Sequence, residues 1–293
     1  MLNKGDLTRL MTAGLKTVFQ NGVKSYTPMY PMLTTEVEST GASEVYGRLG
    51  SNPSLKEWRD ERAPKRLLEQ GFTVHNKDYE ATISVSRNAI KDDRYGQIKI
   101  QVQALGFAGM KGKDEFYAST VEAGTSVLCY DGQYFFDTDH SEGDSGTQAN
   151  YATGTALSVA NAKTVILAMQ GFKDDRGLPA GIKPTHIMVP TALKFTAKEI
   201  FDPKGTGDTN ANTSLKGELE IIVNPFLTLA TTWYVMDLSQ PVKPIIFQNR
   251  QELEFDNTEG GDGDFRRKEI LYGVDARFAF AYGDWRTMYR AVA

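Results

Sequence analysis

The stretch DDRYGQIKIQVQALGFAGMKGKDEFYASTVEA, residues 92–123, decides the fold of this chain. Its apolar residues recur at helical spacing through Ile98, Val102 and Leu105, and the same side continues through glycines to Phe116. Two aspartates open the stretch, where carboxylates favour the exposed N–H groups of a helix. We therefore predict a single helix of about 40 Å, at roughly 1.5 Å per residue, that serves as the spine of the molecule.

The predicted spine contains a glycine at every third position over one stretch: Gly106, Gly109 and Gly112. Each costs a helix about 1 kcal/mol relative to alanine, so their presence needs a reason. Close approach of a neighbouring element predicts glycine on one side of the helix. The alternative is a poorly formed helix that breaks at the glycines.

Composition narrows the class of protein. The chain has 293 residues, of which 40% are hydrophobic and 24% charged, and this favours one elaborated globular domain or two. A formal net charge of −4 excludes the basic footprint of a protein that grips DNA, although enclosing DNA stays open. We expect no membrane span, signal peptide or transit peptide, and the single Cys129 excludes an intramolecular disulfide and fits a reducing compartment.

Ahead of the spine, residues 6–20 form an apolar stripe at helical spacing, with Asp6 as the predicted N-cap and Gly22 as the stop. Residues 25–33 carry two prolines among aromatic and methionine side chains, so we predict an extended arm. This helix and arm could pack on the core of their own chain or lie on a neighbouring subunit.

The sequence pattern of residues 43–90 predicts a long excursion of the chain that resembles a β-hairpin, with two strands and a charged middle. A strand at 45–49 precedes a charged middle, and after Phe72 a turn at 76–78 leads into strict alternation over 79–85. The middle is too polar to form a core, so it is either a solvated charged face or a mixed-charge contact between subunits with an aromatic anchor. The candidate interface residues are Lys56, Glu57, Trp58, Arg59, Arg62, Lys65 and Arg66.

Beyond the spine, residues 127–140 form an aromatic run around an Asp131–Gly132 turn. In the middle third of the chain, the pattern of residues 155–240 indicates a compact α+β domain that is inserted into the first domain. It has helices starting at Ser158 and Pro190, strands at 186–189, 219–223 and 233–238, and a flexible loop at 202–214. Strands return at 245–247, 253–255 and 268–282, the last with an apolar face that we expect beside the spine, and an acidic turn at 257–264 joins the final pair.

One polar cluster could carry chemistry. Asp131, Asp137, Asp139, His140 and Asp144 lie close together in the sequence and could bind a divalent cation, but they lack the spacing of a calcium loop or an H-E-x-x-H site. A polar loop after an aromatic strand explains the same residues. We therefore predict no catalytic residue, no cofactor and no metal, and keep a metal-dependent hydrolase using Asp137, Asp139 and His140 as the alternative.

Several short motifs together resemble a known family. They are Tyr46-Gly47, Leu49-Gly50, Pro53, Lys56-Glu57-Trp58, Asn76-Lys77, Tyr79-Glu80-Ala81-Thr82-Ile83, Val85, Arg87, Asp92-Asp93, Tyr95-Gly96 and, above all, CYDGQYFFDTDH at 129–140. Nearly the whole chain resembles the major head subunits of Mu-like phages and prophages, the T-protein family, which has the Hong Kong 97-type capsid fold.

This resemblance implies an α+β fold with a defined layout. The expected parts are an N-terminal arm (1–35), an extended E-loop with flanking strands (36–90), a peripheral domain with the spine helix (91–154), an axial domain (155–240) and return strands of the peripheral domain (241–293). In this family scaffolding and protease functions belong to other proteins, so we expect the chain to begin at the arm.

The implied function is that of a major capsid protein, which is structural and not an enzyme. Copies would form pentamers and hexamers of an icosahedral head that encloses double-stranded DNA without sequence specificity. The implied partners are further copies, a scaffolding protein, a head maturation protease, a portal and a decoration protein, with no membrane. The implied location is the virion, after assembly in the bacterial host cytoplasm. A phage decoration or tail protein is a second alternative.

Overall fold

A computed structural model describes residues 4–47, 72–86, 95–202, 215–258 and 269–293. Its helices are α1 Lys4–Ser25, α2 Tyr30–Leu33, α3 Tyr95–Glu122, α4 Val159–Gln170 and α5 Lys194–Phe201. Its strands are β1 Thr34–Glu38, β2 Ser43–Tyr46, β3 Phe72–His75, β4 Lys77–Ser86, β5 Tyr151–Ala152, β6 His186–Val189, β7 Glu220–Val223, β8 Thr232–Met236, β9 Ile245–Thr258, β10 Glu269–Tyr282 and β11 Met288–Val292. The α+β class predicted from the sequence is confirmed.

The spine is one continuous helix, α3, so the alternative of a helix broken at its glycines is wrong. A Cβ atom on Gly106 would lie 2.5 Å from the carbonyl oxygen of Phe19 in α1, and one on Gly109 would lie 3.1 Å from Leu253. Close approach therefore explains these two glycines. Gly112 has no such neighbour within 4 Å, and close packing does not explain it.

The first helix is longer than predicted, because α1 continues through Gly22 to Ser25. Gly22 does not stop the helix; a Cβ atom added to it would collide with the backbone carbonyl of Gln103 in α3, so a side chain would not fit there. The predicted extended arm is also wrong in part. Tyr30–Leu33 is a helical turn with a proline near its start, and Tyr30 and Leu33 are buried in the core of this chain.

A four-stranded sheet in the order β1-β9-β10-β4 packs beside the spine. The predicted apolar face of β10 is confirmed, since Ile270, Tyr272, Val274, Ala276 and Phe278 are buried. The two strands predicted at 245–247 and 253–255 are a single strand, β9. The register between β9 and β10 shifts next to Arg277, and this irregularity breaks the alternation that would have joined the two pieces in the sequence.

Strands β2 and β3 form a separate two-stranded sheet, and only Asn76 separates β3 from β4. The predicted turn at 76–78 is wrong, because β4 already begins at Lys77 and pairs with β10 from there. The strict alternation over 79–85 belongs to this edge strand, on which Tyr79, Ile83 and Val85 are the more buried positions.

A five-stranded sheet has the order β5-β11-β8-β6-β7. Strand β6 has the predicted bounds, and the Ser158 hydroxyl caps α4 by accepting from the Asn161 backbone N–H at 3.3 Å. Strands β5 and β11 join this sheet from outside residues 155–240, so the chain returns to it at 288–292. No helix in the described part of the chain has the length and apolar character needed to cross a membrane.

Candidate assembly surfaces

The predicted interface residues Lys56, Glu57, Trp58, Arg59, Arg62, Lys65 and Arg66 all lie outside the described residues. The structure does describe the strands on either side of segment 48–71, which we call the base of this segment. Strands β2 and β3 pair there in antiparallel fashion, with Tyr46 opposite Phe72. The rings of this last pair stack with centroids 5.4 Å apart. The residues that flank the segment are therefore held side by side.

This base is fixed to the face of the four-stranded sheet that points away from the spine. Its apolar contact consists of the buried Val74, Ile246, Ala279 and Ala281, with Val37, Tyr46 and Phe72 packed against them. At the centre lies Gln248, which is fully buried. Its amide donates to Asn76 Oδ1 at 2.7 Å and its carbonyl accepts from the Tyr46 hydroxyl at 2.8 Å. Burial raises the pKa of Tyr46 to about 12, so this hydroxyl stays a donor.

A second set of bonds fastens the turn between β1 and β2 to the same base. The Glu44 carboxylate accepts from the Ser39 hydroxyl at 2.8 Å and from the backbone N–H groups of Thr40 and Gly41 at 2.8 and 3.1 Å. Hydrogen bonds to the ionised form favour it, and they lower the pKa of Glu44. The Asn76 amide donates to Ser39 Oγ and to the Gly41 carbonyl. Asn76 thus links the turn to Gln248.

The N-terminal residues are anchored to the spine through Asp114. This carboxylate is almost fully buried and accepts from the Tyr26 hydroxyl at 2.7 Å and from the backbone N–H groups of Met29 and Tyr30 at 3.0 and 2.8 Å. A buried carboxylate is tolerated when several donors satisfy it. Asp114 therefore fixes the path of the chain between α1 and α2.

Beside it, the buried Lys113 ammonium donates to Glu252 at 2.7 Å and lies 5.2 to 5.7 Å from the centroids of three aromatic rings, those of Tyr30, Phe247 and Phe278. Partial burial would raise the pKa of Glu252, but the hydrogen bond and charge of Lys113 lower it overall. The sequence analysis missed Lys113 and Asp114. Their positions carried a signal, since they belong to two series spaced four apart along the buried side of the spine, 105, 109, 113 and 117 for Lys113 and 106, 110, 114 and 118 for Asp114.

The aromatic block 129–140 has the predicted turn. Gly132 adopts a φ of +87°, which favours glycine, and the Cys129 N–H donates to the Gln133 carbonyl at 2.7 Å across the turn. Cys129 is buried, and burial raises the pKa of its thiol well above the ordinary value. The thiol therefore stays protonated and unreactive.

His140 is fully buried inside this block. Its Nδ1 lies 2.6 Å from Asp131 Oδ2 and its Nε2 lies 3.2 Å from Asn150 Oδ1, while the ring stacks on Trp285 with centroids 4.1 Å apart. Both ring nitrogens are thus occupied and the ring is closed to solvent. In the cluster proposed from the sequence, the structure brings Asp131 to His140. The carboxylates of Asp137, Asp139 and Asp144 are not buried, and the hydrogen-bond partners of the ring are Asp131 and Asn150.

The described part of the chain contains no group of three His, Cys, Asp or Glu side chains positioned to hold a metal ion. The Asp131–His140 pair instead belongs to a buried structural network. The Arg286 guanidinium, 2% exposed, donates to the Tyr130 hydroxyl at 3.1 Å, lies 3.3 Å from Glu142 Oε1 and packs over Trp285. This arrangement stabilises a polar core and does not favour the hydrolase alternative.

Comparisons with known proteins agree with this geometry. The family model described as "Mu-like prophage major head subunit gpT" matches residues 8–156, 147–227 and 228–293. The Mu-like prophage FluMu major head subunit of Haemophilus influenzae is 29% identical over 96% of this chain and 71% of that protein. The major capsid protein of Escherichia phage Mu is 27% identical over 98% of this chain and 73% of that protein.

Among solved structures, a chain of the procapsid of bacteriophage JBD30 matches with a TM-score of 0.62 and 26% identity. The match covers 100% of this chain and 76% of that chain, and it confirms the Hong Kong 97-type architecture predicted from the sequence. The family match spans the spine, the base of segment 48–71 and both larger sheets. The chain therefore belongs to the family of Mu-like prophage major head subunits, and it is a structural capsid protein of a phage head and not an enzyme.

Proposed function

We propose that copies of this chain form rings of five and six that close into an icosahedral head around double-stranded DNA. Each contact can be modest, because a subunit in a shell is held by several neighbours at once and the contacts act as linked interactions. The net charge of −4 suits a wall that confines DNA without gripping it and without sequence specificity.

We further propose that segment 48–71 is the E-loop and contacts a neighbouring subunit, with Trp58 as its anchor. The observation that carries this proposal is the base formed by the antiparallel pair β2 and β3, which packs on the four-stranded sheet and holds the residues that flank the segment next to each other. A hairpin built from 48–71 would reach up to about 40 Å at roughly 3.3 Å per residue. Its charged and aromatic composition suits a surface contact better than a core of its own.

We also propose the remaining parts of the layout that the family resemblance implies. These are the arm at 1–35, the E-loop with its flanking strands at 36–90, the peripheral domain at 91–154 and 241–293, and the axial domain at 155–240. Assembly would take place in the bacterial host cytoplasm. A scaffolding protein, a head maturation protease and a portal would take part, and a decoration protein would bind the finished head.

Electron microscopy of the chain coexpressed with the other head proteins, together with its sedimentation profile, tests the shell. Closed shells or rings of five and six are expected. Tubes would favour the tail-protein alternative, and a chain that stays monomeric among its partners would contradict the proposal.

The substitution Trp58→Ala tests the E-loop contact. We expect it to lower the yield of assembled heads while leaving the melting temperature of the unassembled chain unchanged. Phe195→Ala removes an exposed aromatic side chain from α5 and is the matched control for both measurements. An equal loss of monomer stability would show that Trp58 belongs to the core of its own chain.

A further inference from the structure

Three buried polar atoms lie where the C-terminal half of the spine meets the five-stranded sheet. They are the hydroxyl oxygens of Tyr117 in α3 and Tyr234 in β8, and the Nε of Arg290 in β11. Both tyrosines are fully buried, and Arg290 is 7% exposed. Among the described residues, none of the three atoms has a hydrogen-bond partner. Folded proteins leave very few buried polar groups unsatisfied, so three at one junction need an explanation.

Tyr234 and Arg290 are direct neighbours. The strand register places them opposite each other on β8 and β11, so their side chains leave the same face of the sheet. Both lie beside the ring of Phe136, whose centroid is 5.7 Å from that of Tyr234 and 5.8 Å from Arg290 Cζ. The phenol and the guanidinium therefore border the same buried region.

Tyr117 reaches this region from the spine. Burial raises the pKa of its hydroxyl, and the nearby Tyr234 adds to this rise. The following turn of the helix is bonded to β11, since Arg290 Nη1 donates to the backbone carbonyl of Glu122 at 3.2 Å. Tyr117 thus lies on the side of the spine that faces β8 and β11.

The hydrogen-bonding capacity of these groups determines what can bind between them. Burial raises the pKa of Tyr234 as well, so both phenols keep their protons and each can donate a hydrogen bond. Arg290 Nε can only donate. The ligand must therefore accept hydrogen bonds, and it must be small because the two phenol rings and Phe136 belong to one packed core. A water oxygen or a halide ion meets both requirements.

We propose that this junction binds small hydrogen-bond acceptors, either water or a halide ion, through Tyr117, Tyr234 and Arg290. The bound acceptors join the spine to the five-stranded sheet. Buried waters in proteins make about three hydrogen bonds each to groups that otherwise lack a partner, and this junction offers three such groups. The site is formed by a single chain, so it does not depend on assembly.

Removing one hydroxyl at a time tests whether a partner is present. Tyr117→Phe and Tyr234→Phe keep the ring and remove only the oxygen. We expect each to raise the equilibrium constant for urea unfolding of the unassembled chain by about fivefold, because a hydrogen bond is lost. If the hydroxyls had no partner, each substitution would remove an unsatisfied buried group, and the constant would stay the same or fall. That result in either variant would overturn the inference.

Two other tyrosines calibrate this measurement. The Tyr282 hydroxyl donates directly to the Thr120 carbonyl at 2.8 Å, so Tyr282→Phe gives the loss that belongs to a partner within the protein. Tyr134 is 43% exposed, and Tyr134→Phe should leave the unfolding constant unchanged. The two buried variants are expected to behave like Tyr282→Phe and unlike Tyr134→Phe.

Two further measurements identify the acceptor. Oxygen-17 relaxation dispersion counts long-lived internal waters, and Tyr234→Phe should hold fewer than the unsubstituted chain if the acceptor is water. If it is a halide ion, replacing chloride by gluconate at constant ionic strength should lower the urea midpoint of the unsubstituted chain but not that of Tyr234→Phe. A destabilised Tyr234→Phe variant that shows neither signal would mean that protein groups satisfy this hydroxyl, and it would overturn the inference.

Discussion

The two large sheets of this subunit differ in how completely the chain buries them. Every residue of β8, in the five-stranded sheet, is buried, as are all but the last of β11. Strand β4, at the edge of the four-stranded sheet, buries only Val85 fully. One sheet completes its core within a single chain, and the other leaves a polar face and an edge strand open. In a shell-forming protein, the open sheet is the one available for contacts between subunits.

The largest change in stability is expected for Trp285→Ala, next to β11 of the five-stranded sheet. Trp285 is fully buried and packs against His140, Phe172 and Arg286. Removing a buried tryptophan should lower the free energy of unfolding by about 3–5 kcal/mol. Urea unfolding of the monomer measures this, with the exposed Phe195→Ala as a nearly neutral control. A loss of less than about 1 kcal/mol in the free energy of unfolding would show that Trp285 does not contribute to the core.

A smaller effect is expected at the junction between the N-terminal residues and the spine. Asp114→Ala leaves the Tyr26 hydroxyl and the N–H groups of Met29 and Tyr30 without their acceptor. Hydrogen bonds to a charged group contribute about 1.5–3 kcal/mol each, and we expect a net loss of about 3 kcal/mol.

Hydrogen exchange should show faster exchange of the Met29 and Tyr30 amides in the Asp114→Ala variant. The control is Glu115→Ala, which removes only an exposed pair with Lys111. If the amides stayed protected, Asp114 would not be what fixes this part of the chain.

Two glycines of the spine allow the same comparison between a buried and an open surface, because replacing each by alanine should change the stability of the monomer in opposite directions. Gly106→Ala places a methyl group 2.5 Å from the Phe19 carbonyl and should destabilise the monomer by about 1–3 kcal/mol. Gly112→Ala meets no neighbouring atom and should stabilise it by up to about 1 kcal/mol through helix propensity. Thermal unfolding of the two variants in parallel measures the difference. A loss of head assembly by Gly112→Ala, without loss of monomer stability, would reveal a partner surface there.

The smallest effect concerns pH at the base of segment 48–71. The folded pKa of Glu44 lies below its ordinary value of 4.5, so its contribution to stability is complete above that pH and is lost as the pH falls through the folded pKa. Acidification should therefore release the Thr40 and Gly41 amides. Their NMR shifts, compared with those in Glu44→Gln, measure this. A pH response of the same size in both proteins would assign it to another carboxylate.

The parts of the fold that were predicted from the sequence depend on local periodicity. The spine, β6 and the apolar face of β10 each show a pattern that is complete within the element. The errors at Gly22 and in β9 depend on distant contacts. A glycine that ends a helix and one that lets another helix approach look the same until the partner, here Gln103, is known.

The candidate site was predictable in outline only. The alternation over 79–85 is confirmed as β4, and the charged stretch before it lies outside the described residues, but Gln248 and Asp114 resemble ordinary polar residues until folding buries them. His140 shows the opposite difficulty, since its neighbouring carboxylates kept a metal-dependent hydrolase open as the alternative while its ring is part of an aromatic stack. Burial and partners arise from tertiary structure, and a single sequence does not record them.

The position of β11 determines when the five-stranded sheet can be completed during synthesis of the chain. This strand lies between β5 and β8 in the five-stranded sheet, yet about 50 residues separate it from β8 in the chain. At roughly 5–20 residues per second, the ribosome needs several seconds to supply it after β8 has emerged. During that interval β8 lacks one of its two neighbours. A nascent subunit therefore cannot close this sheet, and only a chain translated through residue 292 is ready to join a shell.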